Sequence, residues 1–275
     1  MKKQTVQSAQ AQKYKDYSLF SRYGILSIIV LFVICFSLAS PAFMTARNWS
    51  SLIVGQVAVA CIALGAILPM IAGEFDFSVG YTIGLLAIIG ANTAQHADSA
   101  VLVIASVLLS GILIGLINGC ISVLLRISST VVTLGMGLVY YGVNMAISDG
   151  RTITGNIPEI LKTIAKTKVL NFNLSVWIIV LMALVLWYVM ERTPFGKQVY
   201  AVGLCERAAY LSGIRTKFTK ILSFALCDVC IATGALFLLG QAGSAATNLR
   251  TSSPPMRSAS SASRHIKRAN SISPV

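Results

Sequence analysis

Charged residues are scarce in this chain of 275 residues. Only 11% of the sequence is Asp, Glu, Lys or Arg, and only 9 residues are acidic. Soluble domains carry roughly 25% charged residues, so the composition excludes an ordinary soluble domain. The net charge of +13 would point to nucleic acid in a soluble protein. Here the basic residues gather between long apolar runs, so we expect no nucleic-acid partner.

Residues that bind metals or perform catalysis are also sparse. The two histidines, His96 and His265, are far apart, and the 6 cysteines show no paired framework. Cys227 and Cys230 have redox spacing but stand in an apolar run. No Gly-rich loop ends in Gly-Lys-Ser or Gly-Lys-Thr, and no nucleophile–base–acid set is present. We therefore expect no metal, no cofactor and no catalytic residue, and hence no enzyme.

Long apolar runs dominate what is present. Hydrophobic residues make up 56% of the sequence, and a helix needs about 20 mostly apolar residues to cross a bilayer. The runs predict an all-α polytopic membrane protein with about seven transmembrane helices, of which the third and sixth are short. They lie at residues 24–44, 52–72, 79–93, 100–125, 130–147, 174–190 and 221–240.

Basic residues indicate on which side of the membrane the loops lie. Residues 1–23 contain five of them, and the interval 191–220 contains six. Under the positive-inside rule both intervals are cytoplasmic. We therefore predict a cytoplasmic N-terminal arm over 1–23, followed by a multi-pass protein of the bacterial inner membrane. Residues 149–173 then fall outside, although they carry four basic residues.

A polar break separates the second and third runs. Residues 73–80 read GEFDFSVG and contain two carboxylates. In one interpretation Asp76 or Ser78 caps the next helix in a tight turn. In the other, the break lines a translocation path, because ionisable groups at membrane depth usually face protein or water. The candidates for path or break are Glu74, Asp76, Ser78, Gly80, Asn118 and Asn144.

Three glycines at four-residue spacing, Gly111, Gly115 and Gly119, lie on one face of the fourth predicted helix. Small residues at this spacing let membrane helices approach closely. The neighbouring Asn118 is expected to hydrogen-bond another helix rather than a solute. Helix packing explains Asn144 about as well as solute contact does.

Ordered motifs over residues 40–249 resemble the permease subunits of binding-protein-dependent ABC importers of the ribose, xylose and arabinose type. GEFDFSVG is similar to the family's GGIDLSVG, with Glu74 and Phe75 as departures. GLING, VTLG, GRTITG and TPFGK follow at family spacing. Residues 128–130 read SST where the family usually has PPF.

The most specific match is the cytoplasmic interval 191–220, which in the resembling family contains the coupling helix that docks on the ATP-binding subunit. Leu211 and Ile214 suit a groove, Gly213 suits a left-handed cap, and Glu206 suits the helix N-terminus. The resemblance implies coupling through Glu206, Ala208, Ala209, Leu211, Ser212, Gly213 and Ile214.

The resemblance implies half of a permease homodimer in the lipid bilayer, importing a monosaccharide or sugar-like solute. A periplasmic solute-binding protein would deliver the solute, and a separate subunit would bind ATP. A secondary transporter is an alternative, which should show paired intramembrane charges. Only Asp228 is a clear mid-helix charge, and no basic partner is visible. The sequence does not name the solute.

The transmembrane domain, predicted over residues 24–249, is followed by a Ser-, Arg- and Pro-rich segment at 250–275. This composition is typical of disorder, whereas the resembling family continues with further membrane helices. The segment can be back-translated and each codon read from its third base. The resulting frame allows residues that resemble the family's continuation. We therefore expect a frameshift near codon 250. A second alternative is then a non-transporting membrane remnant that is poorly stable or inactive.

Overall fold

The computed structural model describes residues 24–97, 99–154, 157–169 and 172–245. The predicted N-terminal arm and the predicted out-of-frame segment lie outside these described residues. Within them the helices are α1 Gly24–Ala39, α2 Ala46–Gly55, α3 Val57–Ile71, α4 Val79–His96, α5 Ala100–Leu125, α6 Ser129–Ser148, α7 Glu159–Lys166, α8 Leu174–Arg192, α9 Pro194–Leu204, α10 Glu206–Leu211 and α11 Thr216–Ala242. The strands are β1 Ile153–Thr154, β2 Lys168–Val169, β3 Phe172–Asn173 and β4 Ser244–Ala245.

Each predicted apolar run contains a helix, and the all-α polytopic architecture is confirmed. Among the described residues, four helices are long and apolar enough to cross a membrane: α5, α6, α8 and α11. The pair α2 and α3 is a fifth candidate, as one span bent by 42°. The other two predicted spans fall short of this test, because α1 is shorter and the last turns of α4, from Asn92 to His96, are polar.

Helix α11 forms the centre of the bundle and packs against α3, α4 and α5. The contact with α5 depends on the predicted glycine face. A Cβ at Gly115 would lie 2.6 Å from the Phe224 carbonyl oxygen, and one at Gly111 would lie 2.9 Å from the Asp228 carbonyl oxygen. On α3, Gly65 approaches the Cys227 carbonyl oxygen in the same way. Glycine therefore lets two helices reach the backbone of α11.

The connections between helices gather at two opposite ends of the bundle. The coupling end comprises residues 73–78, 126–128 and 192–217. The strand end comprises residues 149–173 and 243–245. At the strand end β1 pairs with β4 and β2 with β3, both antiparallel. Helix α7 packs there on the last turns of α11.

Candidate functional site

The polar break between α3 and α4 is an extended segment at the coupling end. Pro69 lies inside the last turns of α3, and Gly73 adopts a left-handed φ of +81°. Glycine tolerates this conformation because it has no Cβ. From there the chain runs without helical hydrogen bonds to Ser78, which is the N-cap of α4. The backbone groups of the segment therefore need other partners.

Hydroxyl groups on α6 supply those partners. The backbone N–H of Phe75 donates to Ser129 Oγ at 3.0 Å, and that of Phe77 donates to Thr133 Oγ1 at 3.0 Å. Phe75 and Ser129 both depart from the pattern of the resembling family, and here they bind each other. Irregular backbone at membrane depth is stable only where protein or water satisfies it. Helix α6 thus holds the break in its extended shape.

Asp76 closes a turn within the break. Its Oδ1 accepts hydrogen bonds from the Ser78 backbone N–H at 2.8 Å and from the Ser78 hydroxyl at 2.6 Å. No side chain caps the first turn of α4. The prediction that Ser78 caps α4 is therefore wrong, because its hydroxyl is engaged by Asp76 and Asn118. Asp76 does bind the backbone N–H of the N-cap residue itself, which is one of the orphan donors of a helix start.

Asn118 connects the break to two further helices. Its Nδ2 donates to Ser78 Oγ at 3.0 Å, and Tyr140 OH donates to its Oδ1 at 2.6 Å. All three side chains are buried. This network ties the start of α4 to α5 and α6, which confirms Asn118 as an interhelical hydrogen-bonding residue. Its place on a translocation path stays a prediction.

The structure also brings a second carboxylate to the break. Asp228 lies in the middle of α11 and is fully buried. The ligand atoms of Asp76, Cys227 and Asp228 all lie within 4.8 Å of one another. In the sequence, Asp76 and Asp228 lie far apart and belong to different segments. Their meeting depends on how the break packs on α11, and a tertiary contact of that kind leaves no signal in a single sequence.

A three-residue ion network spans the coupling end. Lys220, in the first turns of α11, donates to Glu74 Oε1 at 2.7 Å and to Glu206 Oε2 at 2.7 Å. The side chains of Lys220 and Glu74 are largely buried, with 11% and 17% exposed, whereas that of Glu206 is half exposed. Lys220 therefore joins the break to the first residue of α10. In the sequence, Lys220 is only one of the six basic residues of the interval 191–220.

The predicted coupling segment forms α10 and the turn after it. Gly213 adopts a φ of +86°, and the Ile214 N–H donates to the Ala209 carbonyl oxygen at 3.1 Å, as in a left-handed cap. Leu211 is 78% exposed. Ala209 is buried and Ile214 is half-buried, so these two face the permease itself more than a partner.

Close packing fixes α9, which precedes the coupling segment. A Cβ at Gly203 would collide with the Ile71 carbonyl oxygen, and one at Gly196 would collide with the Met190 backbone. The Thr193 side chain accepts from the Gly196 N–H at 3.4 Å and caps α9. The two glycines let α9 lie against the ends of α3 and α8, so α10 is held at a defined place.

A charged cavity of about 870 Å³ opens at the coupling end. Its lining includes both acids of the ion network, Glu74 and Glu206. It also includes five basic residues, which give it a net positive lining: Arg126, Arg207, Arg215, Lys217 and Lys220. An acidic protein surface or another anionic group matches this charge.

Two further candidates lie outside the hydrogen-bonded network. Asn144 is buried on α6, and its Oδ1 has no hydrogen-bond partner among the described residues. Gly80 is exposed, with nothing within 4 Å of the position of a Cβ. Of the six candidates, the structure therefore joins Asp76, Ser78 and Asn118, and it places Glu74 in the ion network.

Comparison with known proteins gives a consistent result. The family described as "Branched-chain amino acid transport system / permease component" matches residues 48–252. The D-allose transport system permease protein of Escherichia coli is 27% identical over 243 residues, covering 86% of this chain and 73% of that protein. The ribose import permease protein of Haemophilus influenzae is 29% identical over 230 residues, covering 82% and 71%.

The galactose/methyl galactoside import permease protein of Escherichia coli is 28% identical over 244 residues, covering 82% of this chain and 73% of its own length. No solved structure matches. The matched region contains the break, the α5–α11 contact and the coupling segment described above. By this match over most of its length, the chain belongs to the family of branched-chain amino acid transport system permease components.

Proposed function

We propose that this chain is the membrane-spanning subunit of an ATP-driven importer that moves a monosaccharide or sugar-like solute into the cytoplasm. A periplasmic solute-binding protein delivers the solute, and a second copy of the chain completes a homodimer. A separate subunit binds and hydrolyses ATP. Relatives named for D-allose, ribose and galactose support the solute class.

The observation that carries the proposal is the Glu74–Lys220–Glu206 network. One of its acids belongs to the break and the other begins α10, while the lysine lies at the base of the central helix. A displacement of α10 is therefore transmitted to both the break and α11 through short charge-assisted hydrogen bonds. Such bonds are among the stronger polar contacts in proteins. An ATP-driven transporter needs a mechanical connection of this kind between its docking surface and its membrane core.

The coupling end suits a protein partner on the cytoplasmic side. Leu211 and Tyr210 are exposed at 78% and 69% beside the basic cavity. A short helix that presents large apolar side chains is a common mode of docking into a groove. The basic residues of this end also favour the cytoplasm, which supports the proposal that the N-terminus lies on the same side.

An uptake assay with two matched variants tests the proposal. Leu211→Glu puts a charge into the proposed docking surface, and Ile160→Glu does the same to an exposed residue at the strand end. We expect ATP-dependent uptake of labelled ribose, allose or galactose by cells that depend on this permease. Leu211→Glu should abolish uptake and co-purification of the ATP-binding subunit, whereas Ile160→Glu should retain both.

The same assay separates the rival mechanisms. Uptake that stops with an ionophore and survives ATP depletion would establish a secondary transporter. Asp76 and Asp228, the two intramembrane carboxylates, would then be the candidate residues for binding the coupling ion. No uptake of any sugar by the wild-type chain, with the chain present in the membrane, would establish a non-transporting remnant.

Lys220→Met tests the mechanical connection itself. We expect this variant to bind the ATP-binding subunit but to lose most of the stimulation of ATP hydrolysis by solute-loaded binding protein. Lys217→Met, three residues earlier in α11 and also lining the cavity, is the control and should couple normally. Equal loss in both variants would mean that net charge at this end matters, rather than the ion network.

A further inference from the structure

A half-buried carboxylate, a buried carboxylate and a buried thiol meet inside the bundle. Asp76 comes from the break, and Cys227 and Asp228 come from the middle of α11. One ligand atom from each lies within 4.8 Å of the other two. Three potential donors from two chain segments therefore converge on one point.

Three of the four carboxylate oxygens at this point lack hydrogen-bond partners among the described residues. Both oxygens of Asp228 and Oδ2 of Asp76 are buried without a hydrogen bond among the described residues. Asp228 is 0% exposed. None of the ion pairs within the described residues reaches either acid. An uncompensated charge in such a place is costly by several kcal/mol, so the arrangement calls for a positive charge between the two acids.

We propose that Asp76, Cys227 and Asp228 bind one divalent metal ion of the zinc class. Magnesium and calcium select oxygen ligands only, whereas zinc accepts carboxylate oxygen and cysteine sulfur together. Tetrahedral zinc holds such atoms about 3.5 Å apart, so small side-chain rotations from the observed spacing close the site. The site goes beyond the proposed transport function and does not depend on it.

The charges and protons of this site can be counted. The Cys227 thiol releases its proton to water when its sulfur binds the metal, so two carboxylates and one thiolate around a divalent ion leave a net charge of −1, against −2 for the two ionised acids alone. Three protein ligands leave a fourth position for water or a solute hydroxyl. The other oxygen of Asp76, Oδ1, keeps its two hydrogen bonds from Ser78. These hydrogen bonds orient the carboxylate, as hydrogen bonds to metal-ligating side chains commonly do.

Cadmium binding to the purified full chain tests the site. The protein is extracted in detergent, stripped with a chelator and titrated with Cd²⁺, whose bond to a thiolate gives an ultraviolet charge-transfer band. We expect one ion per chain, that band, and competition by Zn²⁺. Asp228→Asn and Cys227→Ser should each weaken binding more than about tenfold. Cys230→Ser, a buried thiol on the same helix, should bind as the wild type does.

Folding of each variant is checked by its elution as a monodisperse species. Equal binding by wild type and Cys227→Ser would overturn the assignment of the sulfur and with it the proposal. A wild-type chain that binds no metal would also overturn it, and we would then expect the Asp228→Asn variant to melt at a higher temperature. In that outcome a proton shared by the two carboxylates supplies the positive charge instead.

Discussion

Helices α8 and α11 are equally apolar, yet the bundle uses them differently. In the most apolar stretch of α11, 61% of the residues are buried, against 11% in α8. Helix α11 packs on α3, α4 and α5, whereas α8 contacts mainly α3, α7 and α9. An apolar cavity of about 330 Å³ lies between the two helices. Apolar composition therefore indicates which segments enter the membrane, but it does not indicate which of these helices form the core of the bundle.

Small side chains make the difference. The buried face of α11 includes Ala225, Ala232 and Gly234, and α5 offers glycines against it. Helix α8 instead presents Leu181 and Leu184 outward, each more than half exposed. Lipid tails are as apolar as leucine, so association in a bilayer follows close packing rather than apolarity.

The largest effect should come from truncating the core of α11. Phe224 is fully buried where α11 meets α5, and Phe224→Ala should lower the free energy of unfolding by about 3–5 kcal/mol. Leu181→Ala on α8 should change it by less than about 0.5 kcal/mol. Unfolding of the detergent-purified chain measures both. Similar losses of unfolding free energy in the two variants would contradict the distinction between a core helix α11 and a peripheral helix α8.

A smaller effect should follow from adding one methyl group at the α5–α11 contact. At Gly115 the new Cβ would meet two backbone atoms of α11 within 2.7 Å, so Gly115→Ala should destabilise by about 1–3 kcal/mol. Gly135 on α6 has nothing within 4 Å, and Gly135→Ala should be neutral or stabilising by up to about 1 kcal/mol. Melting temperatures that fall equally in both variants would contradict the explanation of Gly115 by close helix approach.

The smallest effect concerns the polar network beside this contact. Asn118→Leu removes the hydrogen bonds to Ser78 and from Tyr140, and should destabilise by about 1 kcal/mol, as interhelical hydrogen bonds in membranes do. In a double-mutant cycle, Tyr140→Phe should add little to Asn118→Leu. Fully additive losses would show that the two side chains do not act together.

Much of this architecture could be predicted from residue patterns. Run length and apolarity located every described span, and the spacing of Gly111 and Gly115 identified the close helix contact, because both signals are local to one helix. The extent of α4 was harder to predict, since its last turns are polar but still helical.

The contacts of the candidate site could not be predicted in the same way. Glu74 and Lys220 are far apart in sequence, and their pairing requires the break to pack against the first turns of α11. Asp76 lies within an extended segment whose path is set by hydroxyls on α6. Neither arrangement follows from a helical period or a turn signature, because both depend on how separate elements dock.

The central position of α11 has a consequence for biosynthesis. A ribosome delivers α3, α4 and α5 to the membrane before α8, and α8 before α11. The glycine faces of the earlier helices therefore lack their packing partner in the bilayer until α11 has been synthesised. The pairing of β1 with β4 joins segments that precede α7 and follow α11, so it can form only after α11 has crossed. Formation of the β1–β4 pair would therefore mark the time at which this part of the chain completes its insertion.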